Sequence, residues 1–167
     1  MVVFKLAGEQ YGVGIIQVQE IVRLSQITKV PRAPRFVEGV INLRGEVIPV
    51  IDLRKRFEIE YKSYNEFTRI IVSDINNKKI GIIVDEVLEV LRIPARLLEE
   101  APDLLQGNQA YRFISGIANL SNRMIMMLNL ENILLEKEWQ KLSDLSPQDQ
   151  ATEKAAPKLK RQGKSSK

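Results

Sequence analysis

The sequence contains neither cysteine nor histidine. Without cysteine there is no disulfide and no thiolate metal ligand, which fits a cytosolic protein. Without histidine the chain lacks the usual general base, a common metal ligand and the central member of a serine-hydrolase triad. Phosphate-loop, dinucleotide-binding and nucleophile-elbow motifs are also missing. We therefore predict a protein that is not an enzyme, needs no cofactor and binds no metal.

Long apolar runs are absent too. No segment approaches the roughly 20 apolar residues of a membrane-spanning helix. The first ten residues, MVVFKLAGEQ, lack the basic and apolar regions of a signal peptide. These features predict no direct membrane insertion.

The positive charge is concentrated at one end of the chain. Residues 151–167 carry six Lys+Arg and one Glu, a net +5, which leaves 19 basic and 20 acidic residues elsewhere, a net −1. From residue 146 onward large apolar residues are almost missing, which predicts a disordered basic tail over 146–167. The near-neutral remainder is not typical of a nucleic-acid binder, so a small-barrel nucleic-acid module is the weaker alternative.

An internal duplication is the most informative feature present. Residues 36–53, FVEGVINLRGEVIPVIDL, return without a gap as residues 113–130, FISGIANLSNRMIMMLNL, and six of the 18 aligned positions are identical. Each copy reads as two β-strands around a short turn. We assign the residues common to both copies to the scaffold.

A weaker echo extends the repeat upstream. GIIQVQEI at residues 14–21 resembles GIIVDEV at residues 81–87 with one insertion, which pairs Glu20 with Glu86. The order of hairpin, V-x-E-[IV] segment, proline-marked loop and F-x-x-G hairpin thus occurs twice. It predicts a mainly β domain over 1–145, with two barrel-like halves near 14–66 and 67–130 that can exchange terminal elements.

A helix is predicted over residues 130–145, because Leu135, Trp139 and Leu142 follow helical spacing. Asn129 is its candidate N-cap. Its counterpart in the first copy is Asp52, and an Asp-to-Asn exchange argues against a catalytic carboxylate there.

Arg44 differs between the copies, because Ser121 takes its place in the second. Two interpretations stay open: a solvated ion pair of little energetic value, or a guanidinium that contacts a partner. Gly39 and Gly116 match, which indicates a backbone constraint. The carboxylates near residues 74–86 lack calcium-loop spacing.

These residues carry a resemblance. The run VQEIVRLSQITKVPRAPRFVEGVINLRGEVIPVIDLRKRF, followed by KIGIIVDEVLEVL and FISGIANL, resembles the CheW-type chemotaxis coupling proteins over roughly residues 2–136. The resemblance implies two SH3-like five-stranded β-barrels sharing a hydrophobic core, and an adaptor without enzymatic activity. The implied partners are the CheW-like regulatory domain of the histidine kinase CheA and the cytoplasmic tip of methyl-accepting chemoreceptors.

The resemblance also implies a cytoplasmic protein recruited to membrane-associated receptor arrays. A CheW-like scaffold in a non-motility pathway is the alternative within the family. Partner-binding residues carried over from the family fall on Val18, Glu20, Gly39, Arg44, Ile70, Gly81, Val87 and Val90, and Ile21 is added by adjacency. The chain departs from many relatives at Gly14, where they carry an acidic residue.

Overall fold

The computed structural model describes residues 1–60, 62–100 and 112–143. The predicted tail over 146–167 lies outside these ranges. The elements in chain order are β1 (Val2–Leu6), β2 (Glu9–Val13), β3 (Val18–Arg23), β4 (Val37–Leu43), β5 (Glu46–Asp52), α1 (Leu53–Arg56), β6 (Arg69–Ile75), β7 (Lys78–Val84), β8 (Glu86–Val90), β9 (Leu98–Glu99), β10 (Ile114–Leu120), β11 (Arg123–Leu128) and α2 (Glu136–Ser143). Neither α-helix in this described part is long and apolar enough to cross a membrane.

The strands form two sheets built on one plan. The first sheet has the order β3-β6-β7-β5-β4, and the second has the order β8-β1-β2-β11-β10-β9. In each sheet a hairpin lies between two other strands. In the first sheet, β6 pairs antiparallel with β3 and β7 pairs parallel with β5. In the second sheet, β1 pairs antiparallel with β8 and β2 pairs parallel with β11. The predicted mainly β fold of two similar halves is confirmed.

The halves exchange their first hairpins. β1–β2 precedes β3 in the chain but lies in the second sheet, whereas β6–β7 completes the first. The boundary between the sheets therefore falls at Asp85, between β7 and β8, and not near residue 66. The physical reason is hydrogen bonding, because β6 and β7 each find a partner strand in the first sheet.

Alternation along the strands creates three apolar clusters, since successive side chains point to opposite faces of a sheet. One face of the first sheet encloses Ile41, Ile48, Val50, Ile70, Val72 and Ile83. The equivalent face of the second encloses Val3, Ala118 and Ile125. The opposite faces of both sheets meet in a third and larger cluster that includes Phe4, Leu6, Ile51, Ile71, Ile82, Phe113 and Leu130. The predicted shared core is therefore present.

The pairing register of the strands corrects the predicted alignment of residues 14–21 with residues 81–87. Glu20 lies opposite Val72 in β6, and Glu89 lies opposite Val3 at the equivalent place in β1. The counterpart of Glu20 is therefore Glu89, and the predicted pairing with Glu86 is wrong. With this register the repeated segments, VQEI and VLEV, align without an insertion.

The C-terminal helix is shorter than predicted. Asn129 does act as an N-cap, but its side-chain oxygen accepts from the Glu131 amide at 3.0 Å and begins a 3-10 turn over Leu130–Asn132. Its counterpart Asp52 caps α1 in the same way, accepting from the Arg54 amide at 2.9 Å. The Asp-to-Asn exchange is explained, because either side chain supplies the accepting oxygen.

A partly buried ion pair links the two sheets at their junction. The Arg54 guanidinium donates to both carboxylate oxygens of Asp85, at 3.0 and 2.7 Å, and to the Glu60 carbonyl at 2.7 Å. The same carboxylate accepts from the amide of Ala7, in the β1–β2 turn, at 2.8 Å. Partial burial alone would raise the pKa of Asp85, but the hydrogen bonds from Arg54 and Ala7 outweigh it and lower the pKa.

Asp85→Asn should destabilise the fold by about 2 kcal/mol, because it leaves the Arg54 guanidinium without its charged acceptor. A lowered folded-state pKa also means that the contribution of Asp85 is complete above the unfolded-state pKa of about 3.9 and is lost as pH falls below it. Denaturant unfolding at pH 7 and at successively lower pH measures both effects.

Asp74→Asn is the matched control, because within the described residues the Asp74 carboxylate makes only a 3.4 Å surface contact with Gln19. It should change stability by less than about 0.5 kcal/mol. Equal stability losses in the two variants at pH 7 would contradict the role given to the Arg54–Asp85 pair.

Candidate partner-binding surface

Two of the edge strands, β3 and β8, carry five of the nine predicted partner-binding residues. Val18, Glu20 and Ile21 lie on β3, and Val87 and Val90 lie at equivalent positions on β8. Ile21 is 38% exposed and Val90 is 59% exposed, whereas the two valines that begin each segment pack against the shared core. An edge strand also presents unpaired backbone groups, so both strands offer polar and apolar contacts to another chain.

Arg44 and Glu20 meet at the surface of the first barrel. Arg44 Nη1 donates to Glu20 Oε1 at 3.2 Å, and Nη2 forms an ion pair with Oε2. This hydrogen bond, together with the positive charge of Arg44, lowers the pKa of the Glu20 carboxyl. The Arg44 side chain is nevertheless 70% exposed. The pair thus joins the tip of the edge hairpin β4–β5 to the opposite edge strand, and it leaves most of the Arg44 side chain accessible.

The backbone at Arg44 is unfavourable for arginine. Arg44 has a φ of 53° and Gly45 a φ of 87°, the two positive values of a type I′ hairpin turn. The side chain of Asn42 supports the turn, because its oxygen accepts from the Gly45 amide at 2.8 Å. Glycine and asparagine adopt this conformation more readily than arginine. The turn therefore does not account for Arg44.

The second barrel has an ion pair of its own. Arg123 Nη1 lies 2.7 Å from Glu89 Oε2, and Glu89 is the counterpart of Glu20. Arg123 stands two residues beyond Ser121, the counterpart of Arg44, and so lies within β11 and not at the hairpin tip. An ion pair between hairpin and edge strand is therefore common to both halves. What distinguishes Arg44 is its place at the tip.

Three of the predicted residues lie beneath the surface. Gly39 has a φ of 150°, and a β-carbon there would lie 2.1 Å from the Thr28 carbonyl oxygen. A β-carbon on Gly81 would lie 2.8 Å from Ile70 Cγ2, and Ile70 itself is fully buried in the first barrel. Packing alone explains Gly39, Ile70 and Gly81, and their predicted role in partner binding stays a prediction.

Sequence reasoning missed the two most exposed apolar side chains near β3. Ile15 is 54% exposed and Ile16 is 95% exposed, in the 3-10 turn Ile15–Gln17 that leads into the strand. The sequence did contain a signal for this exposure: two consecutive isoleucines next to Gly14 break the alternation of apolar and polar residues that is typical of the strands. Large apolar side chains exposed beside an edge strand are typical of a protein contact surface.

Within the described residues, no group of three or more acidic side chains is placed to hold a metal ion. The arrangement of a charged tip, an edge strand and exposed isoleucines suits the binding of another protein.

Gly39→Ala should destabilise the fold by about 3 kcal/mol or more, because the added methyl group meets backbone in a conformation that suits glycine. Gly14→Ala is the matched control, since nothing lies within 4 Å of its added β-carbon. Thermal unfolding compares the two. A Gly39→Ala variant as stable as Gly14→Ala would contradict the packing explanation.

The fold and the surface define a class: a duplicated two-barrel β protein whose exposed edge strands suit protein–protein contact. The family described as CheW-like domain matches residues 1–138. The chain belongs to the CheW-like domain family.

Named relatives agree with this membership. The chain is 37% identical over 136 residues to "Chemotaxis protein CheW" of Klebsiella aerogenes, with 81% of each chain covered. It is 31% identical over 133 residues to "Protein FrzA" of Myxococcus xanthus, with 78% of this chain and 82% of that protein covered. The crystal structure of the scaffolding protein TtCheW from Thermoanaerobacter tengcongensis matches with a TM-score of 0.71 and 44% identity, over 77% of this chain and 86% of that chain.

Proposed function

We propose that this protein is a non-catalytic adaptor that couples the cytoplasmic tips of chemoreceptors to the histidine kinase CheA. The observation that carries the proposal is the exposed edge strand β3 with the Arg44–Glu20 pair beside it. The name of the Klebsiella relative supports a chemotaxis role, and the likeness to TtCheW, a scaffolding protein, supports a scaffolding role. We place the protein in the cytoplasm, at membrane-associated receptor arrays.

The mechanism needs binding alone. The V-x-E-[IV] segment on β3, the Arg44 tip and the exposed Ile16 form one surface for a receptor helix hairpin or the kinase. The edge of the second sheet at β8, with Val87 and Val90, offers a second surface of related shape to the CheW-like regulatory domain of the kinase. Two surfaces on one rigid, shared core then transmit a change in the position of one partner to the other.

A non-motility chemosensory pathway is the second candidate. The observation that favours it is the likeness to FrzA, whose name differs from that of the chemotaxis relatives. In that case the same surfaces would engage a related receptor and a related kinase.

Arg44→Asn tests the main proposal. Asparagine suits the left-handed turn, so the variant should be at least as thermally stable as the wild type. Loss of the guanidinium should weaken capture of the kinase and the receptor by roughly tenfold. The measurement is co-sedimentation with a purified CheA-type kinase and a chemoreceptor cytoplasmic fragment from the same genome, together with receptor-stimulated kinase autophosphorylation.

Arg96→Asn is the matched control, because Arg96 is an exposed arginine in the 3-10 turn Ala95–Leu97. It should retain full coupling. A large loss of thermal stability in Arg44→Asn would refute the partner-facing assignment of Arg44. Failure of the wild-type protein to bind either the kinase or the receptor would refute the adaptor role.

Ile16→Gln tests the apolar part of the same surface. The side chain is 95% exposed, so stability should stay within about 0.5 kcal/mol of the wild type. Binding to the receptor fragment or the kinase should fall severalfold in the same assay, because an exposed apolar anchor is lost. Leu135→Gln, at a partly exposed leucine before α2, is the control. Equal binding by both variants would remove Ile16 from the surface.

A further inference from the structure

A separate basic cavity lies where the two copies of the repeat meet. Its volume is about 190 Å³, well above the 10–15 Å³ or so that one water needs. Four of its lining side chains are cationic, Arg35, Lys55, Arg56 and Arg112, and one is acidic, Glu58. No predicted partner-binding residue lines it.

The duplication supplies two of the four cations. Arg35 and Arg112 directly precede Phe36 and Phe113, so the Arg-Phe pair is identical in both copies. The two phenylalanines are buried and need no further explanation. The two arginines are exposed. The Arg112 guanidinium lies over the Phe113 ring, 5.0 Å from its centroid, and so stands at the rim of the cavity.

Arg56 forms a fixed wall of the cavity. Its guanidinium lies over the rings of Phe36 and Phe113, 4.7 and 5.2 Å from their centroids. Nε donates to the Ile133 carbonyl at 2.7 Å, and the two Nη atoms donate to Glu138 at 3.2 and 2.9 Å. This side chain is therefore held in place before any ligand arrives.

The cavity keeps a net positive charge even with Glu58 in its lining. Arg56 is paired with Glu138 and Lys55 with Glu38. In the described ranges, by contrast, neither Arg35 nor Arg112 forms an ion pair. Burial lowers the pKa of Arg56, and the nearby charge of Arg112 lowers it further. An anion placed between the arginines would relieve this repulsion.

We propose that this cavity is a binding site for a phosphoryl group, free or carried by a small metabolite. Guanidinium groups match the planar, bidentate geometry that phosphate oxygens accept. Arg35 from the first repeat and Arg112 from the second would both bind the anion, and Lys55 would contribute a third positive charge. The ligand would bridge both halves of the fold and so stabilise the folded state on binding.

Nuclear magnetic resonance titration of the full chain tests the site. Inorganic phosphate, glycerol 3-phosphate and, as reference, chloride are added at constant ionic strength. We expect saturable shifts of the backbone amides of residues 35–36, 55–58 and 112–113 with at least one phosphate compound. Binding of inorganic phosphate indicates that the free ion suffices, and binding of glycerol 3-phosphate alone indicates a metabolite.

Two double variants give the control. Arg35→Gln with Arg112→Gln should weaken binding by about tenfold or more, whereas Arg92→Gln with Arg96→Gln removes the same charge elsewhere and should leave it unchanged. Circular dichroism confirms that both fold. Shifts that do not saturate, that chloride reproduces, or that both double variants lose equally would overturn the proposal.

Discussion

The parallel pairing of β7 with β5, and of β2 with β11, is the constraint on which the rest of the structure depends. Because of this pairing, the first hairpin of each repeat lies in the sheet that the other repeat completes: β1–β2 in the second sheet and β6–β7 in the first. Neither barrel can close from a single repeat, because its two central strands belong to the other part of the duplication. We therefore expect the halves to fold as one cooperative unit, since the exchange also places a shared apolar cluster between them.

The exchange also determines what the protein exposes. The hairpins occupy inner positions of both sheets, so β3 and β8 are left at the edges. The repeated V-x-E-[IV] segments lie on those two strands and become accessible together. The first sheet then curls until the tip of its other edge hairpin reaches β3, which is how Arg44 and Glu20 come into contact. Scaffold and candidate surface are products of one pairing pattern.

Much of the fold could be predicted from the sequence, because duplication and alternation are local signals. Register is not local. The similarity of GIIQV to GIIVD aligns Glu20 with Glu86 in the sequence. Only the pairing of β3 with β6 and of β8 with β1 identifies Glu89 as the counterpart of Glu20. Burial within a barrel could not be predicted from the sequence either. A family resemblance indicates which residues affect coupling, but it does not distinguish residues that contact a partner from residues that pack inside the barrel. Ile70 and Gly81, pressed against each other inside the first barrel, show the difference.

Identity between the two copies therefore indicates the role of a residue only when the burial of that residue is also known. Residues common to both copies are scaffold where the structure buries them, as with Phe36 and Phe113, or where backbone leaves no room for a side chain, as at Gly39. The rule does not extend to exposed identities such as Arg35 and Arg112, because burial does not explain them, although Arg112 also lies over the ring of Phe113. A long charged side chain kept twice at a surface, beside a cavity, is better explained by something that the cavity holds.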